Sequence, residues 1–181
     1  MKNVLIVYAS REGQTRMIAT RIAEHLRDAG LEVTMVDAAD RAATDSIDLE
    51  RPDLLVFGAS LHAGGLEREL RSFVEAHGPR IEKRPRSFFL VSLSAATKDP
   101  KVRAEFLADA RRKLNRQIPV ILEDTEMIAG ALRYSKYPLP LKWLMRRIAA
   151  EAGEETETSR DYEFTDWAQV ERYAARLANL V

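Results

Sequence analysis

A stretch of small, polar and basic residues, Ser10-Arg11-Glu12-Gly13-Gln14-Thr15-Arg16, follows the apolar run Val4 to Val7 and opens an amphipathic helix. At a junction from strand to helix, the first helical N–H groups have no intrahelical partner and the helix dipole favours negative charge, so a phosphate monoester is a natural ligand. Ser10 and Thr15 would add hydroxyl donors, and Gly13 would let the backbone approach the anion closely. The neighbouring arginines would supply positive charge. The alternative is a serine N-cap on an ordinary surface helix, and these residues alone do not decide between the two.

Strands and helices alternate along the rest of the chain. The predicted strands are Val4 to Val7, Leu31 to Val36, Leu54 to Phe57, Ser87 to Leu93 and Met127 to Leu132. The predicted helices run from Gly13 to Asp28, from Leu66 to a stop at His77-Gly78-Pro79, from Val102 to Arg116 (striped by Phe106, Leu107, Ala110 and Leu114) and from Asp166 to Leu180. This alternation predicts one α/β domain over residues 1–181, a flavodoxin-like three-layer sandwich whose five-stranded parallel sheet has the order 2-1-3-4-5.

Two further loops of small residues leave the sheet at the edge where ligands bind in such folds. Gly58 to Gly65 follows the third strand, and Ser94 to Thr97 follows the fourth. A phosphate turn with two flanking loops can hold the tail and both edges of a planar cofactor. A receiver domain would need an aspartate at the end of the third strand, and neither G-x-G-x-x-G nor G-x-x-x-x-G-K is present. FMN, which carries one phosphate, fits this arrangement best.

Composition excludes several other classes of function. The chain has no cysteine and only three scattered histidines, so no disulfide, thiolate nucleophile or metal site is expected. Its 28 basic and 28 acidic residues cancel, which gives no electrostatic case for binding nucleic acid. The sequence starts directly with a strand and has no apolar run long enough to span a bilayer, so a cytoplasmic protein is expected.

The pattern Ser10-x-x-Gly13-x-Thr15 resembles the FMN-phosphate loop of flavodoxins, with Glu12 and Gln14 where many of them have threonine and asparagine. Several further motifs extend the resemblance over nearly the whole chain. They are Gly58-Ala59-Ser60, Ile128-Ala129-Gly130-Ala131-Leu132-Arg133-Tyr134, Gly153-Glu154-Glu155-Thr156-Glu157-Thr158 and Thr165-Asp166-Trp167. Together they are similar to the flavodoxin-like, quinone-coupled protoporphyrinogen oxidases of bacterial haem synthesis. The motif from Ile128 is the most specific part, because ordinary flavodoxins lack it.

The resemblance implies an FMN enzyme that oxidises protoporphyrinogen IX to protoporphyrin IX and passes the electrons to a membrane quinone. It implies cofactor contacts by Ser10, Arg11, Glu12, Gly13, Gln14 and Thr15 at the phosphate, by Ser60, Leu61, His62, Ala63 and Gly64 on one side of the flavin, and by Ser92, Leu93, Ser94 and Ala95 on the other. No catalytic side chain is predicted, because acceptance of hydride is the chemistry of the flavin itself.

A long insertion, about 133–163, separates the fifth strand from the last helix, and Tyr162-Glu163-Phe164 is expected to rejoin the sheet edge as the second half of that strand. Leu141, Leu144, Met145 and Ile148 fall on one face of a predicted helix with basic flanks. Contact with the inner face of the cell membrane, core packing and a homo-oligomer contact all remain open. The residues predicted to contact substrate or membrane are Arg133, Tyr134, Lys136, Lys142, Trp143 and Arg146.

Two other functions fit the same fold. One is a flavodoxin that only carries electrons, although such carriers are usually strongly acidic and this chain is neutral. The other is an FMN-dependent NAD(P)H:quinone reductase.

Overall fold

The computed structural model describes residues 1–62, 65–97, 99–132 and 161–181. Its central sheet has five parallel strands: β1 (Asn3–Tyr8), β2 (Glu32–Asp37), β3 (Leu54–His62), β5 (Arg86–Ser92) and β6 (Asp124–Ala129). Their spatial order is β2-β1-β3-β5-β6, and the short β4 (Gly65–Leu66) pairs antiparallel with the end of β3. The predicted order 2-1-3-4-5 is therefore confirmed, since the fourth and fifth predicted strands are β5 and β6.

Helices cover both faces of this sheet. They are α1 (Gln14–Asp28), α2 (Arg41–Asp45), α3 (Arg68–Ile81), α4 (Pro100–Gln117) and α5 (Trp167–Ala178), with a 3₁₀ helix at Leu93–Ala96. Alternate residues of β1 divide between two hydrophobic clusters. Leu5 and Val7 pack on the side that carries α3 and α4, whereas Val4 and Ile6 pack on the side that carries α1 and α5. This division confirms the three-layer architecture.

The third strand is longer than predicted, which is a correction. Residues Gly58 to His62 were expected to form a loop, but they continue β3 and pair with β5 up to Ser60 and with β4 beyond it. The small residues serve packing here, because a Cβ on Gly58 would overlap the ring of Phe89. Short side chains therefore marked a close contact within the sheet and not a chain turn.

Two expectations about helices are also wrong. α3 continues through Gly78 and Pro79 to Ile81, because Gly78 and Ile81 are both buried against the sheet and the N–H of Glu82 still donates to Gly78. Phe106 was placed on the buried stripe of α4, yet it is 43% exposed. The buried face of α4 consists of Ala110 and Leu114, with Leu107 packed beside them.

The chain past β6 leaves the main sheet at Gly130. β7 (Ala131–Leu132) pairs antiparallel with β8 (Tyr162–Glu163) in a separate two-stranded sheet. The segment from Tyr162 thus returns to the end of the fifth strand, but as an antiparallel partner of β7 and not as an extension of β6. The backbone N–H of Phe164 closes this return by donating to the carbonyl of Gly130, 3.0 Å away.

Candidate functional site

The carboxyl ends of β1, β3 and β5 lie side by side at one edge of the sheet. Tyr8 is in register with Gly58, and Ser60 is in register with Val91. The winding of the sheet reverses between β1 and β3, which is where open α/β sheets bind ligands. The segments after these strands are therefore neighbours, as the sequence predicted.

The loop after β1 holds a backbone shape that needs glycine. Gly13 is the N-cap of α1 with φ 100°, and its carbonyl accepts the N–H of Met17, 3.0 Å away. Ser10 Oγ accepts the N–H of Gly13 at 3.1 Å, so the hydroxyl hydrogen of Ser10 is left to donate elsewhere. The loop is thus folded around an open helix N-terminus, as an anion site requires.

Gln14 and Thr15, the first helical residues, are 5% and 2% exposed. The Gln14 amide donates to Thr165 Oγ1 at 2.9 Å, and Thr165 in turn donates to the carbonyl of Ala129 at 2.8 Å. This chain of hydrogen bonds joins the loop after β1 to the end of β6. It fixes the Gln14 side chain as a brace between the loop and the sheet.

The pKa of Tyr8, the residue just before this loop, responds to burial and to the charges of Asp37 and Arg16. Burial raises the pKa of Tyr8, the last residue of β1, and the carboxylate of Asp37 raises it further. The guanidinium of Arg16 opposes both effects. Arg16 is exposed on the first turn of α1, so its charge acts at the mouth of the loop. Arg11 is likewise exposed, and Glu12 is half-buried.

Beyond β3, three polar side chains form a compact group, which we call the Ser60–His62–Glu67 cluster. The Ser60 N–H donates to Glu67 Oε2 at 2.9 Å, and the Ser60 hydroxyl donates to Glu67 Oε1. His62 Nε2 lies 3.1 Å from Glu67 Oε1 and 3.0 Å from Ser60 Oγ. The Glu67 side chain is 3% exposed, whereas that of His62 is 31% exposed. A buried carboxylate thus holds a half-exposed imidazole at the edge of the site.

Backbone pairing and a long-range hydrogen bond hold this cluster in place. Leu61 pairs with Leu66 and His62 with Gly65, so the chain doubles back between the serine and the glutamate. Gln117, at the end of α4, accepts the N–H of Leu66 at 2.9 Å. The cluster is therefore positioned by β3, β4 and α4 together.

The segment after β5 forms the third side of the site. Ser92 ends the strand and is buried, Leu93 is half-buried, and Ser94 and Ala95 lie in the 3₁₀ helix, with Ala95 4% exposed. Thr97 follows, and its Oγ1 is buried with no hydrogen-bond partner among the described residues. A buried hydroxyl of this kind needs a partner outside the described residues, which a water molecule or a ligand atom can supply.

The structure thus brings together the predicted groups at residues 10–15, 60–62 and 92–95. Ala63, Gly64 and the insertion residues Arg133, Tyr134, Lys136, Lys142, Trp143 and Arg146 lie outside the described residues. Sequence reasoning gave no role to Glu67, because a glutamate just before a helix is ordinarily a surface residue. The available signal was Gly65, which has φ 99° and pairs with His62, so that Glu67 follows directly on the returning strand.

Two features are missing from the part of the chain that the structure describes. It contains no group of histidine and acidic side chains that could hold a metal ion. None of its helices combines the length and the apolar composition needed to span a bilayer.

A parallel sheet with an anion loop after β1 and two flanking segments at the switch point defines a flavodoxin-type domain. The chain matches the family described as Flavodoxin domain over residues 5–159. Its fold is also that of flavodoxin 1 from Bacillus cereus, with a TM-score of 0.57 at 18% identity over 99% of both chains. The flavodoxin domain assignment confirms the predicted fold and the predicted FMN cofactor.

Comparison with curated proteins narrows the class. The chain is 31% identical to protoporphyrinogen IX dehydrogenase (quinone) of Escherichia coli K12 over 176 residues, which cover 97% of this chain and 94% of that protein. It is 30% identical to the protein of the same name from Leishmania major, over 97% of this chain and 74% of that protein. The chain belongs to the protoporphyrinogen IX dehydrogenase (quinone) family.

Proposed function

We propose that this chain catalyses the FMN-dependent oxidation of protoporphyrinogen IX to protoporphyrin IX, a step of haem synthesis, with a quinone as electron acceptor. The observation that carries this proposal is the 31% identity to the Escherichia coli dehydrogenase over 97% of the chain. The similarity includes the region after β6, where the sequence departs from an ordinary flavodoxin. The two alternatives, an electron carrier and an NAD(P)H:quinone reductase, are outcomes of the test below.

The residues at the sheet edge fit an FMN cofactor. The glycine-dependent turn at Gly13 and the open N-terminus of α1 suit a phosphate. We assign the phosphate to Ser10, Arg11, Glu12, Gly13, Gln14 and Thr15, and the flavin edges to residues 60–64 and 92–95. The unpartnered Oγ1 of Thr97 supports a polar ligand atom beside the segment after β5.

When bound, FMN supplies a two-electron acceptor that can pass its electrons on to a quinone. The contribution of this chain is to bind and orient the reactants. Ser10 and the first N–H groups of α1 hold the phosphate, and the brace from Gln14 through Thr165 to Ala129 keeps that loop fixed to the sheet. No aromatic side chain occurs at positions 92–95, so nothing in that segment can stack on the flavin.

The direct test is an anaerobic assay of the FMN-loaded protein with protoporphyrinogen IX and a soluble quinone, followed by porphyrin fluorescence. We expect formation of protoporphyrin that depends on both the protein and the quinone. A rate equal to spontaneous oxidation would overturn the proposal. Oxidation of added NADPH in its place would identify a quinone reductase, and electron exchange with redox proteins without quinone reactivity would identify a carrier.

We also propose that the protein acts at the cytoplasmic face of the membrane through the insertion 133–163. The support is its sequence, in which Leu141, Leu144 and Ile148 share one face of a predicted helix with basic flanks. Vesicle flotation tests it: Leu144→Glu and Ile148→Glu should lose binding to anionic vesicles, while Ala150→Glu, on the opposite face of that predicted helix, should retain it. Equal flotation of the three variants would overturn the proposed membrane contact. If the protein dimerises with rising concentration and Leu144→Glu and Ile148→Glu abolish that dimerisation, the insertion is a homo-oligomer contact.

A further inference from the structure

The Ser60–His62–Glu67 cluster contains a buried carboxylate that binding a flavin does not require. Taking a carboxylate out of water is costly unless donors surround it, and a neutral side chain could close the same turn at lower cost. Here three donors converge on Glu67 from Ser60 and His62. The contact between the Glu67 carboxylate and the His62 ring is therefore the feature that can explain why a charged group is buried here.

The contacts of His62 favour one protonation pattern of its ring. Nε2 lies 3.1 Å from Glu67 Oε1 and 3.0 Å from Ser60 Oγ, whose hydroxyl hydrogen is directed to Glu67. Because a carboxylate has only acceptor sites, the tautomer that fits these contacts carries its hydrogen on Nε2 and donates to Glu67. In a neutral imidazole the lone pair consequently lies on Nδ1, which is able to take up a proton.

The place of His62 in the fold suits proton transfer. It lies at the carboxyl end of β3, four residues past the point where that strand pairs with the end of β1, and in the segment assigned to the flavin edge. Its side chain is 31% exposed while its carboxylate partner is buried, so the ring borders both the site and solvent. A proton taken up at the site can therefore leave to water.

We propose that His62 is a catalytic residue whose Nδ1 accepts the proton that the substrate loses, and that Glu67 is the positioning residue that fixes its ring and tautomer. The inference rests on the proposed oxidation of protoporphyrinogen.

The proton and electron balance requires such an acceptor. Conversion of the porphyrinogen to the porphyrin takes three two-electron oxidations, which together remove four hydrogens from the bridging carbons and two from the pyrrole nitrogens. Each oxidation removes a hydride equivalent from a bridging carbon together with one proton, which comes from a pyrrole N–H in two of them and from the remaining bridging carbon in the third. The electron pair leaves with the hydride equivalent for the quinone, by way of FMN, and the quinone takes up a further proton to become quinol. The proton that the substrate loses passes to Nδ1 of His62 and then to solvent, which returns the ring to its starting state.

Rates of protoporphyrin formation test the assignment. His62→Gln should lower kcat by about 10²-fold, the lower end of the range for general acid–base catalysis. Glu67→Gln should lower it about 10-fold, because the ring remains but its tautomer and orientation are no longer fixed. Glu69→Gln, an exposed carboxylate on the same helix, is the matched control and should match the wild type. Added imidazole should restore activity to His62→Ala, and it should not stimulate the wild type.

A second measurement is independent of activity. The chain has only three histidines, so ¹⁵N NMR of the FMN-loaded protein can resolve each ring. We expect the Nε2–H tautomer for His62 in the wild type and in Glu69→Gln, and a mixture of tautomers in Glu67→Gln. FMN affinity, measured by flavin fluorescence, should agree within about 2-fold between the wild type and Glu69→Gln, because Glu69 contacts neither the phosphate loop nor the cluster.

The outcomes separate this inference from the proposed function. A wild type with no quinone-dependent oxidation would defeat the proposed function, and the NMR tautomer would then report on the cluster alone. An active wild type whose His62→Gln variant keeps its kcat would overturn the inference. So would an Nδ1–H tautomer in the wild type. If Glu67→Gln does not fold, the His62 variants and the wild-type NMR spectrum still decide.

Discussion

The two sides of the candidate site are built in different ways. The phosphate loop at residues 10–15 is set by its own sequence: Ser10 accepts the N–H of Gly13, and Gly13 supplies the left-handed backbone that starts α1. The segment Gly58–Glu67 is set by partners far away in sequence, namely Phe89 beneath Gly58 and Gln117 beside Leu66. Local sequence thus sets the turn of the proposed phosphate loop, to which Thr165 adds one long-range brace, whereas the cluster that holds His62 depends throughout on the assembled sheet.

The largest effect should come from breaking a long-range contact. Gly58→Ala places a Cβ where the Phe89 ring lies, and overpacking of this kind should lower the free energy of unfolding by about 2–3 kcal/mol. Gly78→Ala is the matched control. Its Cβ would lie 3.6 Å from Val120 in ordinary contact, and alanine favours the helix interior, so it should raise stability by about 0.5–1 kcal/mol. Denaturant unfolding measures the change in unfolding free energy of each variant relative to the wild type. Changes of the same sign in the two variants would contradict the prediction.

A smaller effect on stability, accompanied by weaker FMN binding, should follow from changing the local loop. Gly13→Ala must adopt φ near 100°, which costs about 1–2 kcal/mol, so FMN affinity should fall about 10-fold. Gly30→Ala, with φ 85° at the far end of the same helix, should cost similar stability without changing FMN affinity. Titration of the apoprotein with FMN distinguishes them. Equal FMN affinities in the two variants would show that the loop is not the anion site.

Features that neighbouring residues determine could be predicted from the sequence, whereas features that distant contacts determine could not. Buried strands, the start of the last helix at Asp166 and the turn at Gly13 depend on neighbouring residues, so their patterns predicted them. The register of parallel strands then brought the three segments together without further information. These features account for the fold and for most of the proposed cofactor site.

The errors have a common physical cause. Gly58 looks like a loop residue, and Pro79 looks like a helix stop, until Phe89 and the buried Ile81 are in place. Phe106 shows the reverse, because its helical spacing predicts burial and no neighbour covers it in the described structure. Glu67 was missed for the same reason, since its partners are side chains on the other arm of a turn. Tertiary contacts determined each of these residues, and local propensity did not.

A third effect on stability and FMN affinity should come from Thr165, whose hydroxyl links Gln14 of the phosphate loop to Ala129 of β6. Thr165→Val removes the hydroxyl that accepts from Gln14 and donates to the Ala129 carbonyl. The free energy of unfolding should fall by about 1–2 kcal/mol, because polar groups lose partners in a half-buried position. FMN affinity should fall by less than it does in Gly13→Ala. Thr34→Val, on an exposed position of β2, should change neither by more than about 0.5 kcal/mol. If Thr165→Val leaves stability and FMN affinity as little changed as Thr34→Val does, the hydrogen bonds through Thr165 contribute to neither.

The smallest effect concerns the continuation of α3 and is visible only as a pH dependence. Because α3 runs past its predicted end, His77 packs against Phe73 with ring centroids 4.7 Å apart. Burial lowers the pKa of His77 below its ordinary value of 6.5, and Arg80 lowers it further while Asp45 opposes. The unfolded chain therefore binds a proton at His77 more readily than the folded protein does. The stability that neutral His77 contributes is complete well above pH 6.5, and it is lost as the pH falls from there through the pKa of the folded protein. The difference in unfolding free energy between the wild type and His77→Gln should shrink below pH 6.5 and stay constant above pH 7.5, with the carboxylates common to both proteins cancelling. A difference that is flat across this range would place His77 in the same environment when folded and unfolded, and a difference that grows in acid would reverse the sign of the burial effect.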